Sequence, residues 1–132
     1  MEPRPRIEHD YRVRFDEADA DGLLRPSGFL RYAQDMAWRH SEEAGFGRDW
    51  YDERAMHWLV RNVSLGLHAP ATYGDVLAIS TEVTGWRHVW ARRLSEFRRD
   101  GELVATVGTD WVLLSDDGRP AKVPPDLSLI HI

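Results

Sequence analysis

Residues 8–15, EHDYRVRF, set Tyr11, Val13 and Phe15 on one side and Arg12 and Arg14 on the other. A period of two is the signature of a half-buried strand. The acidic loop DEADADG follows and closes at Gly22. Pro26 and Ser27 then predict a helix start, since proline is tolerated in the first turn and Ser27 offers a side-chain oxygen to orphan N–H groups. Phe29, Ala33, Met36, Ala37, His40 and Ala44 recur at helical spacing until Gly45 and Gly47 end the run. The remainder reads as strand. In residues 56–67, Met56, Trp58 and Val60 share one parity, whereas Val63, Leu65 and Leu67 share the other. That switch predicts a β-bulge near Arg61–Asn62. Leu77, Ile79, Thr81 and Val83 alternate next, and residues 88–98 form a strand of mixed parity. A turn at Asp100–Gly101 leads into Leu103, Ala105, Val107, Thr109, Trp111 and Leu113, a hairpin signal. SDDGRP makes a second turn.

The order is thus one strand, one long helix, then four longer strands on short connections. Short connections imply antiparallel neighbours. A helix with one apolar stripe and a sheet with one apolar face are both satisfied if the sheet curls around the helix, which makes an α+β two-layer domain.

At 132 residues and 15.3 kDa the chain predicts a single domain. Roughly two-thirds of its unfolded surface is buried at that size, enough for a core without staples. The absence of cysteine excludes disulfides, a Cys-ligated zinc and a thiol nucleophile, and fits a reducing compartment. Seventeen basic against 22 acidic side chains give a net charge of −5, which argues against nucleic acid as a partner. No apolar run approaches the ~20 residues of a membrane span, and MEPRPRIEHD lacks a signal peptide's apolar stretch. A cytoplasmic domain over residues 1–126 is expected. Residues 127–132, LSLIHI, look like one reading frame of a transposon-end sequencing adaptor, and are expected to be a non-native tail; the alternative is a genuine apolar strand.

The segment VRFDEADADGLLRPSGFLRY resembles the active-site segment of hotdog-fold thioesterases, the group around 4-hydroxybenzoyl-CoA thioesterase. Arg14–Phe15, Asp19, Gly22 and Phe29-Leu30-Arg31-Tyr32 carry the likeness without a gap. HWLVRNVSLGLHAPATYGDVLAI and WVLLSDDGRPAKVP look like the middle and end of the first hotdog unit of bacterial acyl-ACP thioesterases. The likeness covers roughly residues 9–126. It implies a hotdog fold of about five antiparallel strands around one central helix. It further implies a thioester hydrolase acting on acyl-CoA or acyl-ACP without metal or organic cofactor, and a homodimer or higher homo-oligomer with sheets joined edge to edge.

A carboxylate near the first turn of a long helix faces the partial positive charge of free N–H groups. It stays ionised at neutral pH and can act as base or nucleophile, while the same N–H groups receive the oxygen that gains charge as a carbonyl is attacked. Asp19 is the candidate carboxylate, with Gly22, Ser27 and Gly28 as candidates for positioning the substrate and oxyanion. The likeness is imperfect here. Many catalytic members place His-Val-Asn-Asn after the Asp, where this chain has Leu23-Leu24-Arg25-Pro26. Proline has no N–H to give, so the donor falls to Ser27 or Gly28. In two-unit acyl-ACP thioesterases the resemblance puts the catalytic set in the second unit, which opens the alternative of a non-catalytic, acyl-binding half.

Other features weigh less. EADADG mimics a calcium loop, but Glu17 and Gly28 stand where its first and twelfth ligands belong, so it is rejected. His9, His40, His57, His68 and His88 lack metal-ligand spacing. Asn62-Val63-Ser64 is a glycosylation sequon inside a predicted strand. His40 reads as a core histidine. His57 and Trp58, with Phe29, are candidates for lining a pocket; packing or exposure is the ordinary role of such a histidine. Six tryptophans are many for this length, and suit core, interface or the wall of an acyl tunnel. Arg87, Arg92, Arg93, Arg98 and Arg99 gather along one hairpin. Arg92 and Arg93 are candidates for the phosphates of coenzyme A or for an acidic carrier protein; the alternative is a solvated strand face with Glu96 and Asp100 interspersed.

Overall fold

A computed structural model describes residues 5–127. Strand β1 (Arg6–Arg12) leads through a short 3₁₀ turn (Phe15–Glu17) into helix α1 (Pro26–Glu43). A second helix, α2 (Arg48–Arg54), precedes β2 (Met56–Leu67), β3 (Val76–Arg87), β4 (Trp90–Arg99) and β5 (Glu102–Ser115). The five strands form one sheet in the order β1-β3-β4-β5-β2, antiparallel at every pairing. This is the α+β hotdog arrangement, with α1 lying against the sheet.

Most of the periodicity is realised. Leu77, Ile79 and Thr81 are fully buried on β3, as are Ala105 and Leu113 on β5. The bulge expected at Arg61–Asn62 is present as a register shift between Val60 and Asn62. Asp100 and Gly101 both take positive φ, 50° and 82°, the requirement of a type I′ hairpin turn. Two further shifts, at Val83/Gly85 and Phe97/Arg98, have no counterpart in the parity pattern.

Helix α1 buries Phe29, Ala33, Met36, Ala37 and His40. Its end is a Schellman motif: the Phe46 N–H donates to the Ser41 carbonyl at 2.8 Å, the Gly45 N–H to Glu42 at 3.1 Å, and Gly45 sits at φ 96°. Its start departs from expectation. Arg25 is the N-cap and makes no side-chain cap; Pro26 opens the helix, and Ser27 lies within its first turn, exposed, rather than capping it. Phe15 also departs. It is 74% exposed, because the chain leaves the sheet after Arg12 and turns, setting the ring edge-on against Tyr73. Helix α2 is an addition to the single helix expected; its seven residues carry too few apolar positions to show a period.

The core has two lobes. One packs Phe29, Ala33 and Met36 against Leu77, Ile79, Phe97, Val104 and Val107. The other gathers Phe46, Tyr51, Leu113, Val123 and Leu127 near α2. Leu127, on the far side of the boundary expected at residue 126, is buried in that second lobe; residues 128–132 of the suspected tail lie outside the described residues.

Candidate active site

The loop between β1 and α1 is built by backbone pairing on both sides. The Asp19 N–H donates to the Leu23 carbonyl at 2.8 Å, and Gly22 (φ 82°) closes the turn with its N–H on the Asp19 carbonyl at 3.0 Å. A Cβ at Gly22 would stand 3.3 Å from the Tyr73 ring. Residues 71–75 brace the loop from outside. Leu24 N–H reaches the Ala71 carbonyl at 2.8 Å, and Tyr73 N–H reaches Gly22 at 3.1 Å. Asp75 in turn fixes that brace, accepting from the Thr72 N–H at 2.9 Å and the Arg99 guanidinium at 2.8 Å. These donors, the Thr72 N–H foremost, hold the Asp75 carboxyl below the ordinary carboxylate range.

Within this frame Asp19 is half-buried. Its Oδ1 accepts from the Asp21 N–H at 2.8 Å and the Leu23 N–H at 3.0 Å. Two backbone donors on one oxygen fix the carboxylate's orientation; no donor among the described residues reaches Oδ2. Asp19 borders an open cleft with Phe15, Asp16, Ala18, Gly22 and Tyr73.

The carboxylate packed against the first turn of α1 is a different one. Glu17 has 14% of its side chain exposed, and both its oxygens accept from Arg31 Nη1, at 3.2 and 2.9 Å. Its Oε2 lies 3.6 Å from the point where a Gly28 Cβ would stand. Sequence reasoning passed over Glu17, since nothing in DEADADG separates it from its acidic neighbours; only the turn at Phe15–Glu17 aims it at the helix.

The candidate oxyanion donors differ in what they have left to give. The Gly28 N–H is engaged with the Arg25 carbonyl at 2.8 Å. Pro26 has none, and the Ser27 N–H has no acceptor among the described residues. Gly28 serves packing instead. A Cβ there would approach Leu24 Cδ1 to 2.3 Å, so glycine is what lets the loop lie on the helix.

The remaining candidates fall elsewhere. Phe29 is in the first core lobe, edge-on to Phe97 at 5.3 Å between ring centres. His57 and Trp58 border a cavity of about 350 Å³ between α1, α2 and the sheet, whose residues do not overlap those of the Asp19 cleft. Arg92 and Arg93, adjacent on β4, point to opposite sides. Arg92 is exposed and paired with Asp110 at 2.8 Å. Arg93 is 7% exposed and lines the cavity, so the two do not form one phosphate-facing surface. Burial pulls the Arg93 guanidinium down to about 10, which leaves it charged at neutral pH. Among the described residues no cluster of His, Asp and Glu could hold a metal, and no helix is long and apolar enough to cross a membrane.

An antiparallel sheet in this order, around a helix entered from an Asp-bearing loop, defines a hotdog domain. Residues 6–130 match the acyl-ACP thioesterase N-terminal domain family, and the chain belongs to that family. No curated protein matches it by sequence. Among solved structures it is similar to a Lactobacillus plantarum protein assigned as an oleoyl thioesterase (TM-score 0.90, 19% identity), covering 96% of this chain and 50% of that one. It also resembles the 4-hydroxybenzoyl-CoA thioesterase of Pseudomonas sp. strain CBS-3 (TM-score 0.87, 20% identity, 95% and 99% covered). A third is a 1,4-dihydroxy-2-naphthoyl-CoA thioesterase from Synechocystis (TM-score 0.86, 15% identity, 96% and 95% covered). The chain thus spans half the length of the first and nearly all of the other two.

Proposed function

We propose that this protein hydrolyses acyl thioesters of coenzyme A or acyl carrier protein at the β1–α1 loop. The observation that carries the reading is the fixed Asp19 carboxylate, with Oδ1 held by two backbone donors beside an open cleft. An oriented carboxylate can take a proton from water as the water oxygen bonds to the thioester carbon. The C–S bond then breaks, the sulfur takes up a proton, and free acid and thiol leave. Alternatively Asp19 itself attacks the carbonyl carbon, and water hydrolyses the resulting anhydride. The Ser27 N–H is the helix-start amide that can receive the carbonyl oxygen as its charge grows.

The reading includes a homodimer. β2 is an outer strand with Leu59, Val63 and Leu67 between 39% and 53% exposed, and pairing two such edges removes an aggregation hazard. A dimer mass by light scattering, reduced to a monomer by Val63→Lys, supports that part; a wild-type monomer opposes it.

The test is thiol release from a panel of acyl-CoA and acyl-ACP substrates. The chain has no cysteine, so a thiol reagent reads product alone. One observation favours a second reading, the non-catalytic acyl-binding half of a double-unit protein: this chain matches half of the Lactobacillus plantarum structure. Absence of release from every substrate, with the fold intact, decides for that second reading.

A further inference from the structure

The cavity behind α1 has walls of two kinds. Trp38, Met56, Trp58, Val83, Trp86 and Trp111 make it largely apolar, and its volume of about 350 Å³ is in the range of small-molecule sites. Set into that wall is Arg93, more than nine-tenths buried. Its Nη1 donates to His40 Nδ1 at 2.9 Å and to Thr81 Oγ1 at 3.2 Å. Because a guanidinium only donates, His40 receives through an unprotonated nitrogen and is neutral. Among the described residues no carboxylate pairs with Arg93. Among the described residues the one carboxylate lining the cavity, Asp52, is exposed and pairs with Arg48 at 3.5 Å. Trp111, in the same wall, keeps its indole N–H buried without an acceptor. A buried cation is tolerated when it is paired, and among the described residues no counter-charge stands against Arg93.

From Arg93, Trp111 and the apolar walls we infer that this cavity binds an organic monocarboxylate, its carboxylate on Arg93 and its apolar body among the tryptophans. One buried positive charge beside a neutral histidine balances a single negative charge. A phosphate dianion would leave an excess charge against the largely apolar wall. The carboxylate comes either from a free fatty or aromatic acid or from the far end of a dicarboxylic acyl group, and both present the same chemistry to Arg93. The site is separate from the Asp19 cleft and does not depend on hydrolysis there.

Tryptophan fluorescence of the full chain, titrated with decanoate and with decanol, tests this without turnover. Decanoate binds at least tenfold more tightly than decanol to the wild type. Arg93→Met, which keeps an apolar body of similar length, brings the two ligands within twofold. Arg93→Lys, retained against misfolding of the first variant, keeps part of the preference. Ala91→Phe, which fills the cavity, abolishes both titrations. Sebacoyl-CoA separates the sources: binding through Arg93 that exceeds that of decanoate assigns the carboxylate to an acyl terminus, and weaker binding assigns it to a free acid. Equal binding of decanoate and decanol to the wild type, or a preference that survives in folded Arg93→Met, overturns the inference.

Discussion

The loop before α1 and the second half of α1 solve opposite problems with similar materials. In the loop, the Asp19 carboxylate is held by main-chain N–H groups beside an open cleft. In the second half of α1, a buried guanidinium is held by side chains in the wall of a largely apolar cavity. A loop site is oriented cheaply, because turns supply backbone donors at fixed angles and water solvates the charge. A buried site requires every neighbour to be placed by tertiary packing. The first is built from residues close in sequence, the second from residues of α1, β3 and β4 that lie far apart in the chain.

Substitutions that separate these two regions sharpen the contrast. Phe97→Ala removes a fully buried ring beside Phe29 from the lobe under the first half of α1. It is expected to cost about 3–5 kcal/mol in urea unfolding; a loss under 1 kcal/mol would show that this lobe is loosely packed.

Gly28→Val strikes the start of the helix alone. A Cβ 2.3 Å from Leu24 Cδ1 forces the buried Leu24 side chain out of its place, with an expected loss of about 1–3 kcal/mol. Decanoate binding in the distant cavity stays within twofold of wild type. A parallel loss of that binding would show that the two ends are one cooperative unit.

Tyr51→Phe acts on the other end. The Tyr51 hydroxyl accepts the Trp58 indole N–H at 2.8 Å and lies 3.3 Å from Ser41 Oγ. Its loss is expected to cost about 1–2 kcal/mol by denaturant midpoint, leaving the indole N–H unpaired. Burial raises the tyrosine above its ordinary value of 10, so its contribution is present below pH 10 and fades as pH climbs through the raised value. Tyr51→Phe therefore flattens the alkaline limb of stability against pH.

The smallest effect belongs to the brace. Asp75 is held below the ordinary carboxylate range by the Thr72 N–H first and Arg99 beside it. Its contribution is complete above about pH 4 and is lost as pH falls through its lowered value. Asp75→Asn is expected to shallow the acid limb of thermal stability by a degree or two of melting temperature (~0.5 kcal/mol at this size), without moving the neutral plateau beyond that.

The contrast also explains what could be read in the sequence. Alternation along Leu77–Val83 and Leu103–Leu113 marked strands whose inner faces are indeed buried, because a period of two survives any tertiary arrangement. The parity switch at Arg61–Asn62 located a bulge for the same reason. Helix α2 left no such trace, being too short for a helical period. In the loop, Asp19 was singled out from its acidic neighbours by the resemblance, as the Asp three residues before Gly22. Glu17 was not, since its approach to α1 depends on the turn at Phe15–Glu17. Arg93 read, with Arg92, as a candidate for phosphate contact on a hairpin rich in arginine; its burial goes with a register that pairs it with Thr109 of β5 and Val83 of β3. Pairings of that kind join residues far apart in the chain, and no local pattern announces them.

Hydrolysis by the Asp19 carboxylate of the β1–α1 loop is checked by comparing thiol release from wild type and Asp19→Asn. Asparagine keeps an oxygen for the Asp21 and Leu23 N–H groups, so the loop is preserved while the negative charge is lost. A fall of about 10²–10⁴ in turnover on a single acyl thioester is expected, with an unchanged circular dichroism spectrum. Undiminished turnover by the folded variant would contradict it.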